Sequence, residues 1–265
     1  MPFKLATWNI NSIRLRIGLV TRFLAEERPD VLCLQETKCP DDAFPEKELR
    51  RAGYGHIAKR GQKGYHGVAI VSRLPLDRVT SRQFCGRDDA RHVAARVAGL
   101  ELHNFYVPAG GDTPDPETNE KFAHKLAFLD EMAAAFRAAR GKASARRILV
   151  GDLNVAPLEN DVWSHRQMLK VVSHTPAEVA RLRKAIDAHD WIDVPRLFTP
   201  PDEKLYSWWS YRAADWAASD RGRRLDHIWA SPPLAGAALS TRTLRTARGW
   251  DRPSDHVPVI AEFGL

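Results

Sequence analysis

Hydrophobic positions fall into short runs broken by turn residues, with longer stretches at helical spacing between some of them. Phe3 to Trp8 and Val31 to Leu34 read as strands, and Ile17 to Glu27 between them reads as an amphipathic helix that stops before Pro29. Val68 to Ser72 follows the loop Gly61-Gln62-Lys63-Gly64-Tyr65-His66-Gly67, whose glycines mark a turn. Val93 to Val97 and Leu100 to Tyr106 flank Gly99 and predict a hairpin. The longest helical pattern, Asn119 to Arg140, repeats Phe122, Leu126, Leu129, Met132 and Phe136 on one face, and Pro176 to Ala188 predicts a second helix. Ile148 to Val150, Tyr206 to Tyr211, Leu225 to Ala230 and Val257 to Phe263 complete the expected strands. Hairpins mixed with crossovers predict two packed sheets flanked by helices, rather than one parallel doubly wound sheet. No repeat appears, and Gly141-Lys142-Ala143-Ser144-Ala145 reads as a short loop, so residues 1–265 are expected to form one domain.

Composition narrows the picture. A chain of 265 residues, 44% hydrophobic and 28% charged, is large enough to bury a substantial core. Its formal net charge of +7 favours a polyanionic partner, since each cation that meets a phosphate releases counterions. Cys33, Cys39 and Cys85 form neither a disulfide framework nor a paired zinc motif, which suits a reducing cytoplasm. The start, Met1-Pro2-Phe3-Lys4-Leu5, does not resemble a secretory leader, and no apolar run has membrane length. A cytoplasmic protein without a membrane partner is expected.

The chemistry-bearing residues recur where strands meet loops. Asn9 follows the first strand, Gln35 and Glu36 the second, and Tyr106 ends the hairpin. In the second half, Asp152 and Asn154 follow Ile148-Leu149-Val150-Gly151, where the glycine permits a sharp turn. Asp226 stands at a strand entrance, and Asp255-His256 precede Val257-Pro258-Val259. Carboxylates and carboxamides are hard ligands suited to Mg²⁺ or Mn²⁺, and the thiolates or paired histidines of a zinc site are missing. Any one of these residues could be a turn or cap residue, and Gly151-Asp152-Leu153-Asn154 could be a loop bonded to its own backbone. Their shared placement at strand ends is what points to one site.

These residues resemble the exonuclease III/apurinic-apyrimidinic endonuclease family, within the endonuclease–exonuclease–phosphatase superfamily. The matching segments are Thr7-Trp8-Asn9-Ile10-Asn11, Leu34-Gln35-Glu36-Thr37-Lys38, Tyr106-Val107-Pro108, Gly151-Asp152-Leu153-Asn154, Tyr206-Ser207-Trp208-Trp209-Ser210-Tyr211, Arg224-Leu225-Asp226 and Ser254-Asp255-His256. The resemblance implies a four-layered α/β sandwich and hydrolysis of phosphodiesters with Mg²⁺ or Mn²⁺. The substrate would be double-stranded DNA, cut 5′ of abasic sites and trimmed from 3′ ends by a monomer of bacterial type.

The resemblance also assigns roles. Glu36 would be the main metal carboxylate, with Asn9, Asp152, Asn154 and Asp255 around it. Asp152 would orient or deprotonate the attacking water, and Asn154 would hold that water or the phosphate oxygens. His256, oriented by Asp226, would contact the phosphate or assist proton transfer, and Tyr106 would donate to the phosphate or the leaving oxygen. Trp208 and Leu225 would form a recess for a flipped-out sugar, with Trp209 in the core.

Arg223 and Ala109 depart from the family pattern, Arg223 standing where an apolar pocket residue is common and Ala109 where a polar one is. Arg212, Arg221, Arg223, Arg224, Arg242, Arg245, Arg248 and Arg252 form a candidate DNA-facing surface, which Lys38, Lys59, Arg60 and Lys63 would extend. Two other readings stay open: a phosphoesterase of this superfamily acting on a non-DNA ester, and a catalytically inactive binder of damaged DNA.

Overall fold

In the computed structural model, which describes residues 2–140 and 145–265, the first half runs β1 (Phe3–Asn9), α1 (Ile13–Glu27), β2 (Val31–Gln35), α2 (Glu46–Arg51), β3 (His56–Arg60), β4 (Val68–Ser72), β5 (Asp77–Thr80), β6 (His92–Val97), β7 (Leu100–Tyr106) and α3 (Glu120–Ala139). The second half runs β8 (Arg147–Asp152), α4 (His165–Met168), α5 (Pro176–Asp187), β9 (Ile192–Asp193), β10 (Trp208–Trp209), β11 (Gly222–Arg223), β12 (Asp226–Ala230), β13 (Ala238–Thr243) and β14 (Val259–Phe263). Apart from Ala145, the loop expected at residues 141–145 lies outside the described residues.

The strands form two six-stranded sheets, ordered β13-β14-β1-β2-β4-β3 and β5-β6-β7-β8-β12-β9, with β10 and β11 as a separate ribbon. Each sheet is antiparallel except for one parallel pair at its centre, β1/β2 in the first and β7/β8 in the second.

Alternation along the strands explains the layering. Leu5, Val31 and Cys33 of the first sheet meet Ile148, Val150 and Ile228 of the second in a core between the sheets. Their neighbours Ala6, Trp8, Leu32 and Leu34 face outward and pack against Val20, Phe23 and Leu24 of α1. On the far side, Leu149 and Trp229 pack against Phe128, Leu129 and Met132 of α3 and Leu182 of α5. Central strands apolar on both faces therefore give helix, sheet, sheet, helix, the expected four layers. A polar bridge crosses the inter-sheet core near the site: Gln35 Nε2 donates to Thr7 Oγ1 (2.9 Å) and Asn104 Oδ1 (2.7 Å).

Besides short elements the sequence did not announce, such as β3, β5 and β13, two of the expected elements have different bounds. Helix α1 begins at Ile13 rather than Ile17, and is kinked at Arg16, which leaves helical geometry (φ −118°, ψ 20°). The buried Arg16 guanidinium donates instead to backbone carbonyls at Asn11 and Arg252. The strand expected over Tyr206–Tyr211 shrinks to Trp208–Trp209, since successive N–H groups turn to different neighbours. Ser207 N donates to Arg223 O (2.9 Å) and Trp209 N to Asp255 O (2.9 Å), so no ladder extends. No helix among the described residues is long and apolar enough to cross a membrane.

Candidate active site

Strand register assembles the centre. Tyr106 pairs with Asp152 across the parallel β7/β8 junction, and Asp152 pairs with Asp226 across the antiparallel β8/β12 junction. Residues opposite one another on neighbouring strands project to the same face, so phenol and two carboxylates stand side by side. In the first sheet Asn9 pairs with Gln35, which brings Glu36 to the same end.

Backbone at these strand ends is unusual. Glu36 (φ 49°), Lys38 (φ 52°) and Asn154 (φ 54°) adopt left-handed conformations, which turn the chain sharply just past each strand. Gly151 is needed for close approach: a Cβ there would lie 1.9 Å from the Phe105 carbonyl oxygen.

The Asn9 amide joins the two sheets' carboxylates, its Nδ2 donating to Glu36 Oε1 (2.9 Å) and Asp152 Oδ2 (2.8 Å). Its Oδ1 accepts from Asn11 N (3.1 Å). Asn154 holds Asp152 from the other side, its N donating to Oδ1 (3.0 Å) and its Nδ2 to Oδ2 (3.1 Å). His256 Nδ1 donates to Asp226 Oδ2 (2.8 Å), leaving Nε2 3.7 Å from Asp152 Oδ2. Ser207 Oγ, which the sequence reading did not single out, donates to the same Asp226 oxygen (2.6 Å) and accepts from Leu225 N (3.0 Å) and Asp226 N (3.1 Å).

Lys38 sits beside Glu36, its Nζ 2.8 Å from Oε2, and donates to Asn11 Oδ1 (2.6 Å). Asn11 Nδ2 in turn donates to Asp255 Oδ1 (3.0 Å), and Trp208 Nε1 donates to Asp255 Oδ2 (2.9 Å). Glu36 and the recess tryptophan are therefore ends of one hydrogen-bonded chain.

Electrostatics follow from burial plus these contacts. Burial raises Asp152 to about 7, with Asp226 and Glu36 adding to the rise while His256 and Asn9 oppose it. Burial opposes the charged form of His256, but Asp226 and Asp152 outweigh it and push the imidazole up to about 10. Burial likewise works against ionised Glu36, yet Lys38 and Asn9 hold its carboxyl below the ordinary range. Burial, with Glu36 and Asp152 nearby, raises the Tyr106 phenol well above its usual range, so it stays protonated.

A hard divalent cation fits this donor set. Glu36 and Asp152, joined through Asn9, present hard carboxylate oxygens at one site, and Asp226 brings a third carboxylate within 4.8 Å of Asp152, whereas the cationic His256 has no free lone pair to offer a metal. The Asp226 Oδ1 atom is buried without a hydrogen-bond partner, and the rise at Asp152 reflects carboxylates crowded out of water. No thiolate contributes: burial raises the Cys33 thiol, and that residue lies in the inter-sheet core.

A cleft of about 280 Å³ is lined by Glu36, Asn154 and His256 together with Trp208, Leu225 and Arg223. Trp208 is half-buried at the cleft, whereas Trp209 is 2% exposed and packs on Tyr206. Ala109 also lines this cleft.

The proposed basic surface loses two members. Arg224 is 1% exposed and is tied to Asp161 and Asp193, and Arg248 is 6% exposed and donates to the Trp209 carbonyl. An arginine run in sequence does not separate guanidinium groups that neutralise buried carboxylates from those facing solvent. Arg242 and Arg245 are paired with Glu27 and Asp220, respectively.

Relatives carry the same architecture. Residues 6–256 match the family model described as Endonuclease/Exonuclease/phosphatase family. Exodeoxyribonuclease III of Haemophilus influenzae is 29% identical over 273 residues, covering 98% of this chain and 99% of its own. An AP endonuclease from Archaeoglobus fulgidus superposes with a TM-score of 0.92 at 33% identity, covering 99% of this chain and all of that one (100%). A 3′ phosphatase from Neisseria, solved bound to a product DNA hairpin, gives a TM-score of 0.91 at 32% identity, covering 99% of this chain and 100% of that one. The match spans both halves of the strand-end cluster, and the chain belongs to the Endonuclease/Exonuclease/phosphatase family.

Proposed function

We propose that the protein is a divalent-metal-dependent DNA-repair phosphodiesterase that cuts duplex DNA 5′ of abasic sites and shortens 3′ ends, acting as a cytoplasmic monomer with Mg²⁺ or Mn²⁺. The carrying observation is that a single cleft is lined both by Glu36, Asn154 and His256 and by Trp208 and Leu225. A phosphate at the acidic end would place the sugar on its 5′-oxygen side in the recess. The names of the relatives, exodeoxyribonuclease III, AP endonuclease and 3′ phosphatase, support DNA as the substrate. Free thiols at Cys33, Cys39 and Cys85 support a reducing compartment.

Glu36 and Asp152 would hold the cation, with Asn9, Asn154 and Asp255 ordering its surroundings. When bound, it would neutralise charge on the phosphate and on the departing oxygen. Asp152, raised by burial and fixed by Asn9 and Asn154, takes a proton from the attacking water. His256, kept cationic by Asp226, presents Nε2–H to a phosphate oxygen, a preorganised charge of the kind that stabilises an oxyanion. The protonated Tyr106 donates to the phosphate or to the leaving 3′ oxygen. Water ends as hydroxyl on the 5′-phosphate, and the other fragment leaves with a 3′-hydroxyl.

Two labelled duplexes test this, one with a single abasic-site analogue and one undamaged, each in Mg²⁺ and in EDTA. Metal-dependent cutting immediately 5′ of the lesion is expected, with slower shortening of the undamaged 3′ end. No cutting of either duplex by folded protein would overturn the reading and direct attention to non-DNA phosphate esters.

A further inference from the structure

Arg223 lines the recess beside Trp208. It pairs with Trp208 in the β10/β11 ribbon, and its guanidinium carbon stands 4.9 Å from the centre of the Trp208 ring. From there Nη1 reaches the loop ahead of α5, donating to the Val172 carbonyl (3.2 Å) and the Ser173 hydroxyl (3.0 Å). Both of those residues line the same cleft. Nε is buried without a partner, and among the described residues no salt bridge involves Arg223. The receiving loop is itself fixed, since Ser173 N donates to both carboxylate oxygens of Glu178 (2.9 and 3.0 Å).

We propose that Arg223 is a specificity latch: stacked on Trp208 and tied to Val172 and Ser173, it disfavours entry of a base-bearing nucleotide while leaving the recess open to a base-free sugar. This rests on the DNA-repair reading above and adds what sets the ratio of abasic-site cutting to 3′ trimming. A base entering such a recess gains most by stacking on an aromatic face, and here a guanidinium already covers that face. Admitting the base displaces the guanidinium and sacrifices one cation–π contact and two hydrogen bonds. Together these correspond to a discrimination on the order of 10-fold or more. A sugar without a base has no ring to stack and leaves the latch shut.

The test measures kcat/KM on an abasic-site duplex and on an undamaged duplex with a recessed 3′ end, for the wild type and three variants. Arg223→Ala is expected to raise the exonuclease-to-abasic ratio on the order of 10-fold. Ser173→Ala, which keeps the arginine and removes one tie, should move the ratio the same way by a smaller factor. Arg223→Lys keeps the charge but loses the planar stack, so its ratio should follow that of the alanine variant. A ratio that stays put or falls in Arg223→Ala overturns the latch, as does a parallel loss of both activities, which would make Arg223 a phosphate contact. If that variant does not fold, the Ser173→Ala ratio decides alone. A wild type inactive on both duplexes removes the functional reading and the latch with it, whereas an active wild type with an unmoved ratio removes only the latch.

Discussion

Replacing Lys125 with methionine keeps an unbranched side chain and removes a charge from a place without water. Lys125 and Glu178 are both fully buried and form an ion pair between α3 and α5. Lys125 Nζ also donates to the carbonyls of Asn154 (2.8 Å) and Ala109 (3.1 Å), tying two site loops to one ammonium. The variant leaves a carboxylate without its counter-ion and two carbonyls without that donor. Breaking a buried pair by removing one partner costs about 3–5 kcal/mol. Glu178 keeps donors at Ser173 N, Thr175 N and Thr175 Oγ1, which places the expectation at the lower end, about 3 kcal/mol. At this chain length that corresponds to a fall in Tm of roughly 6–12 °C. Urea unfolding followed by tryptophan fluorescence would give the free energy, and a thermal scan would give the shift. The double variant Lys125→Met/Glu178→Gln removes both charges while keeping an acceptor for Ser173 N and Thr175 N, and should recover part of the loss because no ion is left stranded. A single variant within about 1 kcal/mol of the wild type would refute the reasoning, as would a double variant no more stable than the single.

Asp152→Asn and Glu36→Ala should abolish incision while leaving abasic-DNA affinity in a gel-shift assay intact; near-normal rates in both would sink the site assignment. Asp226→Asn removes the carboxylate that keeps His256 cationic. With the folded pKa raised to about 10, the wild-type imidazolium should survive to that pH by NMR, whereas the variant should titrate well below it. The accompanying fall in kcat should be on the order of 10²-fold, and an unmoved imidazole titration would contradict the assignment. Glu101 accepts from His103, and this bond, with Arg147 assisting and burial opposing, lowers its carboxyl from the ordinary 4.5 to about 2. Its contribution to stability is then full above pH 4.5 and lost as pH falls through 2. The gap in urea midpoint between wild type and Glu101→Gln should close over that window, and a gap constant from pH 6 to 2 would refute the linkage.

Much of the site is legible in sequence because its residues lie one to three positions beyond an apolar run. Asn9, Glu36, Asp152 and Asn154 stand where a buried strand ends and the backbone turns, so local pattern alone marks them. Register does the rest: Tyr106, Asp152 and Asp226 converge because their strands pair at those positions, which no single segment announces. Edge strands leave less trace. All of β5 is exposed, and β13 is half-buried only at Ala238, Thr241 and Thr243, so neither carries the apolar run that signals a central strand.

The charges inside the molecule show where local pattern stops. Lys125 follows Phe122 by three residues and precedes Leu129 by four, so it lies on the apolar stripe of α3. That position predicts a buried ammonium and therefore a partner, because an unpaired buried charge is too costly to keep. The partner's identity is another matter. Glu178 lies 53 residues away, and in sequence it reads as the third residue of the Thr175 capping box, a role it also fills. Arg224 presents the converse problem: within an arginine-rich segment it reads as surface, yet it neutralises Asp161 and Asp193 beneath the site. Burial of a charge can be inferred from the face on which it falls, but its counter-ion depends on which elements pack together. The Lys125 and Glu178 variants test that dependence directly, because their coupling exists only if α3, α5 and the Asn154 loop meet as they do here.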